Sequence, residues 1–183
     1  MRILEAVFPA PGAFKILRAF AHGVIHSLDG TWGFWNGNNG TGPGDDTLQS
    51  ATKSNGYLIC DPDSANNALY GQPSGSTYQY LSSYFTTSAI DLSGYPAVHL
   101  QFEHLFRFNN GIDLIVGVSA DGTNWTNYTV QGNTPNNTQS ANAALANLNI
   151  STVAGNQSTV YIRIGWSARV YYWMIDDIRI VEA

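Results

Sequence analysis

The sequence predicts an all-β protein, a two-sheet antiparallel β-sandwich, and its composition and its strand pattern both lead to this prediction. Aromatic residues make up 13% of the 183 residues and charged residues only 11%, against about 25% charged residues in a typical domain. Short apolar runs are separated by turns rich in Gly, Asn, Ser and Thr. Roughly eight to ten such runs recur at the spacing of sandwich strands. The chain is long enough for one domain with a full core.

The beginning of the chain is the hardest part to assign. We treat residues 1–26 as an N-terminal segment and residues 27–183 as a single sandwich domain. Phe14–Ala21 has apolar residues at helical spacing and fits a short amphipathic helix. Two other interpretations are open: a strand and turn that lie across the domain, or an arm that contacts a neighbouring subunit.

Alternation of apolar and polar residues predicts the strands of the domain. The predicted strands are 31–35, 57–60, 80–92, 97–108, 112–119, 125–130, 159–166 and 171–181. An Asp-Gly pair at 121–122 predicts a hairpin between two of them. In the strand at 159–166, alternation places Ile162 and Ile164 inside, and Tyr161 and Arg163 outside. Residues 131–147 have no period and predict a long exposed loop.

The last strand carries Asp176 and Asp177 side by side. Successive side chains of a strand point to opposite faces, so we expect the two carboxylates to face opposite ways. One of them then points towards the side that Ile175 buries, or towards a loop packed over it. A carboxylate there needs a partner, such as a cation, backbone N–H groups or an arginine.

The strand at 57–60 ends in a segment rich in oxygen donors. Asp61 and Asp63 are two positions apart, so both face one side if Pro62 keeps the chain extended, and Asn66 and Asn67 follow. Such a set suits Ca²⁺, which takes about six to eight oxygen ligands. A polar turn held by Asx hydrogen bonds explains the same residues equally well.

Three tryptophans, Trp32, Trp35 and Trp125, are candidate ligand-binding residues because an indole ring can stack on a sugar ring. For Trp32 and Trp35 the pattern favours the alternative of a core or loop anchor, since they lie beside a glycine-rich loop. We predict no catalytic residues.

Charge and cysteine content exclude several classes of function. The net charge is −5 and no Lys/Arg cluster exists, which argues against nucleic acid and anionic membrane as partners. The single cysteine, Cys60, excludes an intrachain disulfide. No apolar stretch reaches the roughly 18 residues of a membrane span. The N-terminus lacks the features of a signal peptide, so if the protein is secreted we expect its signal to lie outside this chain.

From about residue 56 to residue 181 the order of motifs resembles one family. The motifs are Gly56-Tyr57-Leu58 ending in Asp-x-Asp, Ile90-Asp91-Leu92-Ser93, Leu100-Gln101-Phe102, Val118–Gly122 with Trp125, Val160-x-Ile162-Arg163-Ile164, and Trp173-x-Ile175-Asp176-Asp177-Ile178. They resemble the cleaved-adhesin, MAM-like jelly-roll domains of gingipains and other proteins that Bacteroidetes secrete through the type IX system.

This resemblance implies a concanavalin-like or MAM-like jelly roll, a secreted or cell-surface protein, and a structural calcium ion. The ion would link the loop after an early strand to the last strand. The ligands carried over are Asp61, Asp63, Asn66 or Asn67, and Asp176, with backbone oxygen near Ser83. A type IX signal normally follows such modules, so we expect a fragment or a partner delivered differently.

We therefore expect an extracellular, non-catalytic binding or adhesion module, stabilised by calcium, whose partner is a glycan or an extracellular protein. The alternative is a structural subunit of a cell-surface or extracellular assembly, in which residues 1–26 mediate a homo-oligomeric contact. An enzyme that processes glycans or peptides is the least favoured class. Carboxylates are scarce, and no Ser-His-Asp motif occurs.

Overall fold

The computed structural model of the chain describes residues 14–16, 24–27, 32–35, 47–71, 78–107 and 113–183. For the first three ranges, and for Asn55, the description covers the backbone and not the side chains. No helix in the described residues is long and apolar enough to cross a membrane.

Strands dominate the part of the chain that the structure describes. They are β1 (Phe14–Ile16), β2 (Val24–Ser27), β3 (Trp32–Trp35), β4 (Tyr57–Cys60), β5 (Leu81–Thr86), β6 (Val98–Arg107), β7 (Ile115–Ser119), β8 (Thr126–Thr129), β9 (Ala144–Asn149), β10 (Tyr161–Ala168) and β11 (Tyr172–Glu182). The helical elements are a 3-10 turn at Lys53–Asn55, α1 (Pro62–Tyr70) and α2 (Ser151–Ala154).

The strands form two antiparallel sheets. The first sheet has the order β3-β4-β11-β6-β9, and β1 also pairs with β11. The second sheet has the order β2-β5-β10-β7-β8. The architecture confirms the predicted all-β, two-sheet antiparallel jelly roll. The hairpin predicted from Asp-Gly is also confirmed, since β7 and β8 pair directly across that turn.

The main core lies between the two sheets and follows the predicted alternation. On β6 the residues Leu100 and Phe102 are fully buried, and on β10 Ile162 and Ile164 are. Their neighbours along each strand are partly exposed, as expected for strands with one solvated face. Each fully buried side chain of this size contributes about 1.5–3 kcal/mol, so these alternating positions provide much of the driving force.

A second, smaller apolar cluster covers the outer face of the first sheet. Leu48 lies in the segment before β4 and packs over outward residues of the sheet. The other members of the cluster are Tyr57, Ile59, Leu105, Tyr172 and Met174. Because β11 is covered on both faces, its first half is apolar at successive positions instead of alternating.

Several sequence predictions need correction at the level of elements. Phe14–Ile16 is a strand, so the helical interpretation of this stretch is wrong there. Strand β2 (Val24–Ser27) crosses the boundary predicted between residues 26 and 27, and both N-terminal strands pair within the sandwich. The predicted loop 131–147 ends early, because β9 begins at Ala144 and pairs with β6.

His104 is a buried polar residue in the main core. It lies on β6 between Phe102 and Phe106, with ring centroids 5.3 and 5.2 Å away. Its Nδ1 accepts a hydrogen bond of 3.3 Å from the indole N–H of Trp173. Burial disfavours the charged imidazolium and lowers the pKa of His104 to about 4.

This burial predicts a specific acid sensitivity. The pKa of His104 is lower in the folded chain than the ordinary 6.5 of the unfolded chain, so its contribution to stability is present above pH 6.5. We expect that contribution, up to about 3 kcal/mol, to be lost as the pH falls from 6.5 to about 4. His104→Gln keeps a hydrogen-bond acceptor and does not titrate, so its free energy of unfolding should fall less over this range.

Urea unfolding at several pH values measures the difference between the two proteins. His99→Gln is the matched control, because His99 lies on the same strand with a partly exposed ring. Equal pH dependence of the wild type and His104→Gln would contradict a buried neutral imidazole.

Candidate functional site

The outer face of the second sheet carries a cluster of aromatic and polar side chains. Cross-strand pairs share a face, and the register pairs Arg163 of β10 with Thr86 of β5 and Gly117 of β7. Gly117 in turn pairs with Asn127 of β8. Ile162 and Ile164 beside Arg163 point into the core. These residues therefore form the outward row of the sheet, and the prediction that Arg163 faces outward is confirmed.

Arg163 contacts two aromatic rings on this face. Its guanidinium carbon lies 3.8 Å from the ring centre of Trp125 and 4.5 Å from that of Tyr84. Its Nε donates a 3.3 Å hydrogen bond to the hydroxyl of Thr86. A cation against an aromatic face contributes roughly 0.5–2 kcal/mol, so the two rings and the arginine hold one another in place. We call Tyr84, Arg163 and Trp125 the aromatic platform.

Two glycines make room for the platform. A Cβ atom on Gly117 would lie 3.0 Å from Cε3 of Trp125, and one on Gly165 would lie 2.8 Å from Cβ of Tyr84. Neither glycine has the positive φ that would explain its identity by backbone conformation. Their lack of a side chain lets the tryptophan and the tyrosine lie close to the sheet beside the arginine.

The turn before β8 fixes Trp125 in this position. The carboxylate of Asp121 accepts hydrogen bonds from the backbone N–H groups of Thr123 and Asn124, from the Asn124 amide and from the Ser119 hydroxyl. These donors favour the charged form and hold the pKa of Asp121 well below its usual range. A turn closed by its own carboxylate presents the next residue, Trp125, in one defined orientation.

The other two predicted ligand-binding residues belong to the first sheet. Trp32 and Trp35 are the ends of β3, which pairs with β4. Their side chains lie outside the described atoms. The structure therefore places the backbones of Trp32 and Trp35 on a different sheet from Trp125, and the three do not form one row.

The segment predicted as a calcium-binding loop is a helix. Asp61 is the N-cap of α1 and accepts a 2.9 Å hydrogen bond from the backbone N–H of Ser64, Pro62 occupies the first turn, and Gly71 ends the helix with φ 59°. An Asp N-cap, an early proline and a terminal glycine are standard helix signals. The prediction of an extended chain at Pro62 was wrong, and these signals could have corrected it.

Asp61 and Asp63 are both partly removed from water. The pKa of Asp61 is raised to about 6, mainly by burial; the Ser64 N–H opposes the rise and the nearby Asp63 carboxylate adds to it. Burial likewise raises the pKa of Asp63, whose carboxylate accepts a 3.0 Å hydrogen bond from the Tyr171 N–H. Two carboxylates share this corner of the fold, where ionisation of either is costly.

The two asparagines of α1 form hydrogen bonds with neighbouring segments of the same chain. The buried Asn66 amide donates to the carbonyls of Pro62, Gln79 and Arg169, and its oxygen accepts from the Gln79 N–H at 2.8 Å. The Asn67 oxygen accepts from the Tyr78 hydroxyl at 2.6 Å. These bonds tie α1 to the chain before β5 and to the β10–β11 turn, which accounts for both residues structurally.

Asp176 and Asp177 lie on β11, and both contact the Thr52 hydroxyl. Asp177 has a φ of 52°, and the pairing of β11 with β6 shifts register between Asp176 and Arg179. This bulge turns Asp177, so both carboxylates approach Thr52: its hydroxyl lies 2.7 Å from Asp177 Oδ1 and 3.4 Å from Asp176 Oδ2. The prediction that they face opposite ways was wrong, because strict alternation holds only in a regular strand.

The segment at residues 50–52 is the partner that the carboxylate of Asp176 requires. The Ser50 hydroxyl donates a 2.6 Å hydrogen bond to Asp176 Oδ2, and the Ala51 N–H donates to Glu103 at 2.9 Å. Burial raises the pKa of Asp176, and the bond from Ser50 opposes that shift. Hydrogen bonds from this segment, together with Leu48 above, fasten the chain before β4 to the last strand.

The structure does not bring the six predicted calcium ligands to one point. Asp61 follows the Cys60–Trp173 end of the β4–β11 pairing, while Asp176 follows its Leu58–Ile175 end, about 13 Å away at the rise of a strand. Ser83 lies on β5 in the second sheet. Among the described residues, no group of three or more His, Cys, Asp or Glu could hold a metal. Calcium binding at Asp61 and Asp63 alone stays a prediction.

Two members of the platform, Tyr84 and Arg163, were not predicted as site residues. Each lies at an outward position of a strand that the sequence predicts. Their proximity depends on the register between β5 and β10, which pairs Tyr84 with Gly165. A glycine at an outward strand position is the one sequence signal for a side chain that lies close to the sheet.

Comparison with known proteins gives structural neighbours only. No protein-family model and no curated protein matches the chain. Among solved structures, the module TmCBM61 in complex with β-1,4-galactotriose has a TM-score of 0.48 at 13% identity, with 90% of each chain covered.

Two further neighbours have lower scores. The K1 cleaved adhesin domain of Lys-gingipain from Porphyromonas gingivalis has a TM-score of 0.42 at 14% identity, covering 86% of this chain and 96% of that one. The carbohydrate-binding module CBM28, specific for non-crystalline cellulose, has a TM-score of 0.41 at 11% identity, with 86% and 90% covered. Cleaved adhesin domains, which the sequence motifs resemble, are thus among the structural neighbours at low identity.

The hydrogen bond between Ser50 and Asp176 predicts a measurable loss of stability. Ser50→Ala removes the shortest bond to a buried carboxylate, so the free energy of unfolding should fall by about 1–3 kcal/mol. Urea unfolding at neutral pH measures the change. Ser93→Ala, an exposed serine in the turn after Leu92, should change it by less than about 0.5 kcal/mol. Equal midpoints for the two variants would show that the Ser50 bond contributes nothing net.

Proposed function

We propose that the chain is a non-catalytic binding module that holds a carbohydrate on the outer face of the second sheet. The aromatic platform is the observation that supports this proposal. It offers two aromatic rings and an arginine side by side on a solvated sheet, and this combination matches the mixed surface of a sugar.

The chemistry of a saccharide fits such a face. The C–H face of a pyranose ring is apolar and packs against aromatic rings, while its hydroxyl groups need donors and acceptors. Asn127 and Thr86 lie in the same outward row and supply an amide and a hydroxyl. The Asp121 turn and Gly117 fix Trp125 before any ligand arrives, so little ordering entropy is lost on binding.

The charges of the face favour binding over catalysis. Hydrolysis of a glycosidic bond uses two carboxyl groups that flank it. The outward positions of β5, β7, β8 and β10 carry no carboxylate. The carboxylates with raised pKa values lie on α1 and on the first sheet.

The alternative of a structural subunit stays a prediction. Strands β1 and β2 pair with β11 and β5 inside the sandwich. Deletion of residues 1–26 would therefore damage both sheets, and loss of assembly on deletion would not by itself identify a subunit contact.

The platform predicts which aromatic residue binding depends on. Trp125→Ala should weaken binding at least tenfold, which is about 1.4 kcal/mol, because the largest apolar surface of the face is removed. Affinity electrophoresis against a panel of soluble polysaccharides finds the ligand, and calorimetry gives the dissociation constants. Tyr70→Ala, which removes an exposed tyrosine on α1, is the matched control and should bind normally. If Trp125→Ala folds and keeps the wild-type affinity, the ligand binds elsewhere.

We also propose, independently, that the Asp61–Asp63 corner binds calcium. The Asp63 carboxylate makes ionisation of Asp61 more costly, and each of the two carboxylates is partly buried. A divalent cation beside them would relieve both effects. Asp176 is not part of this proposal, since Ser50 and Thr52 hold it at the other end of β4.

The variant Asp61→Asn tests the Asp61–Asp63 corner both without calcium and with calcium. The pKa of Asp61 in the folded protein, about 6, exceeds the ordinary 3.8. The contribution of Asp61 to the free energy of unfolding is therefore lost as the pH rises from 3.8 to about 6. Asn caps a helix as well as Asp does. In EDTA at pH 7 the variant should therefore be more stable than the wild type, by up to about 3 kcal/mol.

Calcium in the millimolar range should raise the melting temperature of the wild type and leave Asp61→Asn unchanged. Asp91→Asn, at an exposed turn carboxylate, should respond as the wild type does. A wild-type melting temperature that is the same in EDTA and in calcium would refute the calcium proposal.

A further inference from the structure

Among the described side chains on the outer face of the second sheet, Arg163 carries the one positive charge. At the outward positions of β5, β7, β8 and β10, all other residues are neutral: Ser82, Tyr84, Thr86, Ile115, Gly117, Ser119, Asn127, Thr129, Tyr161, Gly165 and Ser167. Polar residues surround Arg163, so the face does not need this charge for solubility. The arginine therefore calls for another explanation.

The hydrogen-bonding capacity of Arg163 is only partly used by the protein. Its Nε donates to Thr86, and its guanidinium carbon lies over the rings of Trp125 and Tyr84. Among the described residues it forms no ion pair with a carboxylate, and no protein acceptor contacts its two terminal nitrogens. A guanidinium has five N–H donors in a fixed plane, so a fork of donors is left to a ligand.

This arrangement is suited to a carboxylate. Arginine binds a carboxylate through two parallel hydrogen bonds, and such charged bonds are roughly twice as strong as neutral ones. The rings on the guanidinium restrict its motion and reduce its contact with water, which strengthens the attraction to an anion. Thr86 fixes the plane of the fork, so less side-chain entropy is lost when the ligand binds.

We infer that the saccharide bound on the aromatic platform is acidic, a chain that contains uronic acid residues whose carboxylate binds Arg163. This inference rests on the proposed function of the same face and adds the chemical class of its ligand. The sugar ring beside the carboxylate lies against Trp125 or Tyr84, while Asn127 contacts its hydroxyl groups.

The net charge of −5 does not oppose this assignment locally. Charges farther apart than about 8–10 Å are largely screened at physiological ionic strength. The carboxylates of Asp176, Asp177 and Glu103 are held on the first sheet by residues 50–52. Asp121, at the edge of the platform, stays charged, and the four hydrogen-bond donors of its own turn compensate part of that charge.

The test uses one oligosaccharide in two forms. Oligogalacturonate and its fully methyl-esterified form have the same sugar rings and differ in charge. Calorimetry with the full chain should give at least tenfold tighter binding of the acid form, and this preference should decrease as sodium chloride is added. Arg163→Gln should bind the acid form about tenfold more weakly, and its ratio of acid to ester affinity should fall towards one. Arg107→Gln is the matched control, because Arg107 also lies over an aromatic ring, Tyr171 at 4.3 Å, but on the first sheet.

Each outcome of this test supports or overturns the acidic assignment. A wild-type chain that binds the ester or neutral polysaccharides as tightly as the acid overturns the acidic assignment and leaves the carbohydrate proposal standing. The same holds if Arg163→Gln folds and keeps the acid preference. Binding of no saccharide in the panel overturns both proposals. If Arg163→Gln does not fold, Arg163→Lys, which keeps the charge without the planar fork, should show a smaller ratio of acid to ester affinity than the wild type.

Discussion

Burial of β11 on both of its faces is the constraint on which the rest of the structure depends. One face of its first half packs into the main core through Trp173 and Ile175. The other face, with Tyr172 and Met174, is covered by the chain around Leu48. A strand buried on both sides must lie inside its sheet, and β11 pairs with β4 and β1 on one edge and with β6 on the other. The paired aspartates in this strand secure the covering segment by hydrogen bonds instead of providing a reactive site.

Because of this covering segment, the outer faces of the two sheets differ. Part of the outer face of the first sheet is occupied by the protein's own segment, and polar contacts such as Arg179 with Gln101 follow farther along. The described outer face of the second sheet carries no comparable cover. Its outward row holds the aromatic platform, with Gly117 next to the Trp125 ring and Gly165 next to the Cβ atom of Tyr84. The terminal nitrogens of Arg163 contact no described protein acceptor. The asymmetry explains why the binding proposals concern the second sheet.

The candidate site could be predicted only in part, and the reasons are local. Alternation in the strand at 159–166 placed Arg163 outside, and the Asp-Gly pair predicted the hairpin whose turn precedes β8. Both predictions hold because each depends on neighbours in sequence. The segment from Asp61 was misinterpreted because its oxygen donors suggested an ion, although Asp61, Pro62 and Gly71 carry ordinary helix signals. Asp177 was misplaced because a bulge, which breaks strict alternation, depends on pairing with β6.

By itself, the sequence determined the fold class, the inward and outward faces of the regular strands and the β7–β8 hairpin. These features follow from the two-residue period of a strand and from turn chemistry, which act over a few residues. Only the tertiary structure decided which strands are neighbours. It placed Tyr84, Arg163 and Trp125 on one face, sent Asp176 to Ser50 and separated Asp176 from Asp61. Register between distant strands arises from packing of the whole core, and no short stretch of sequence encodes it.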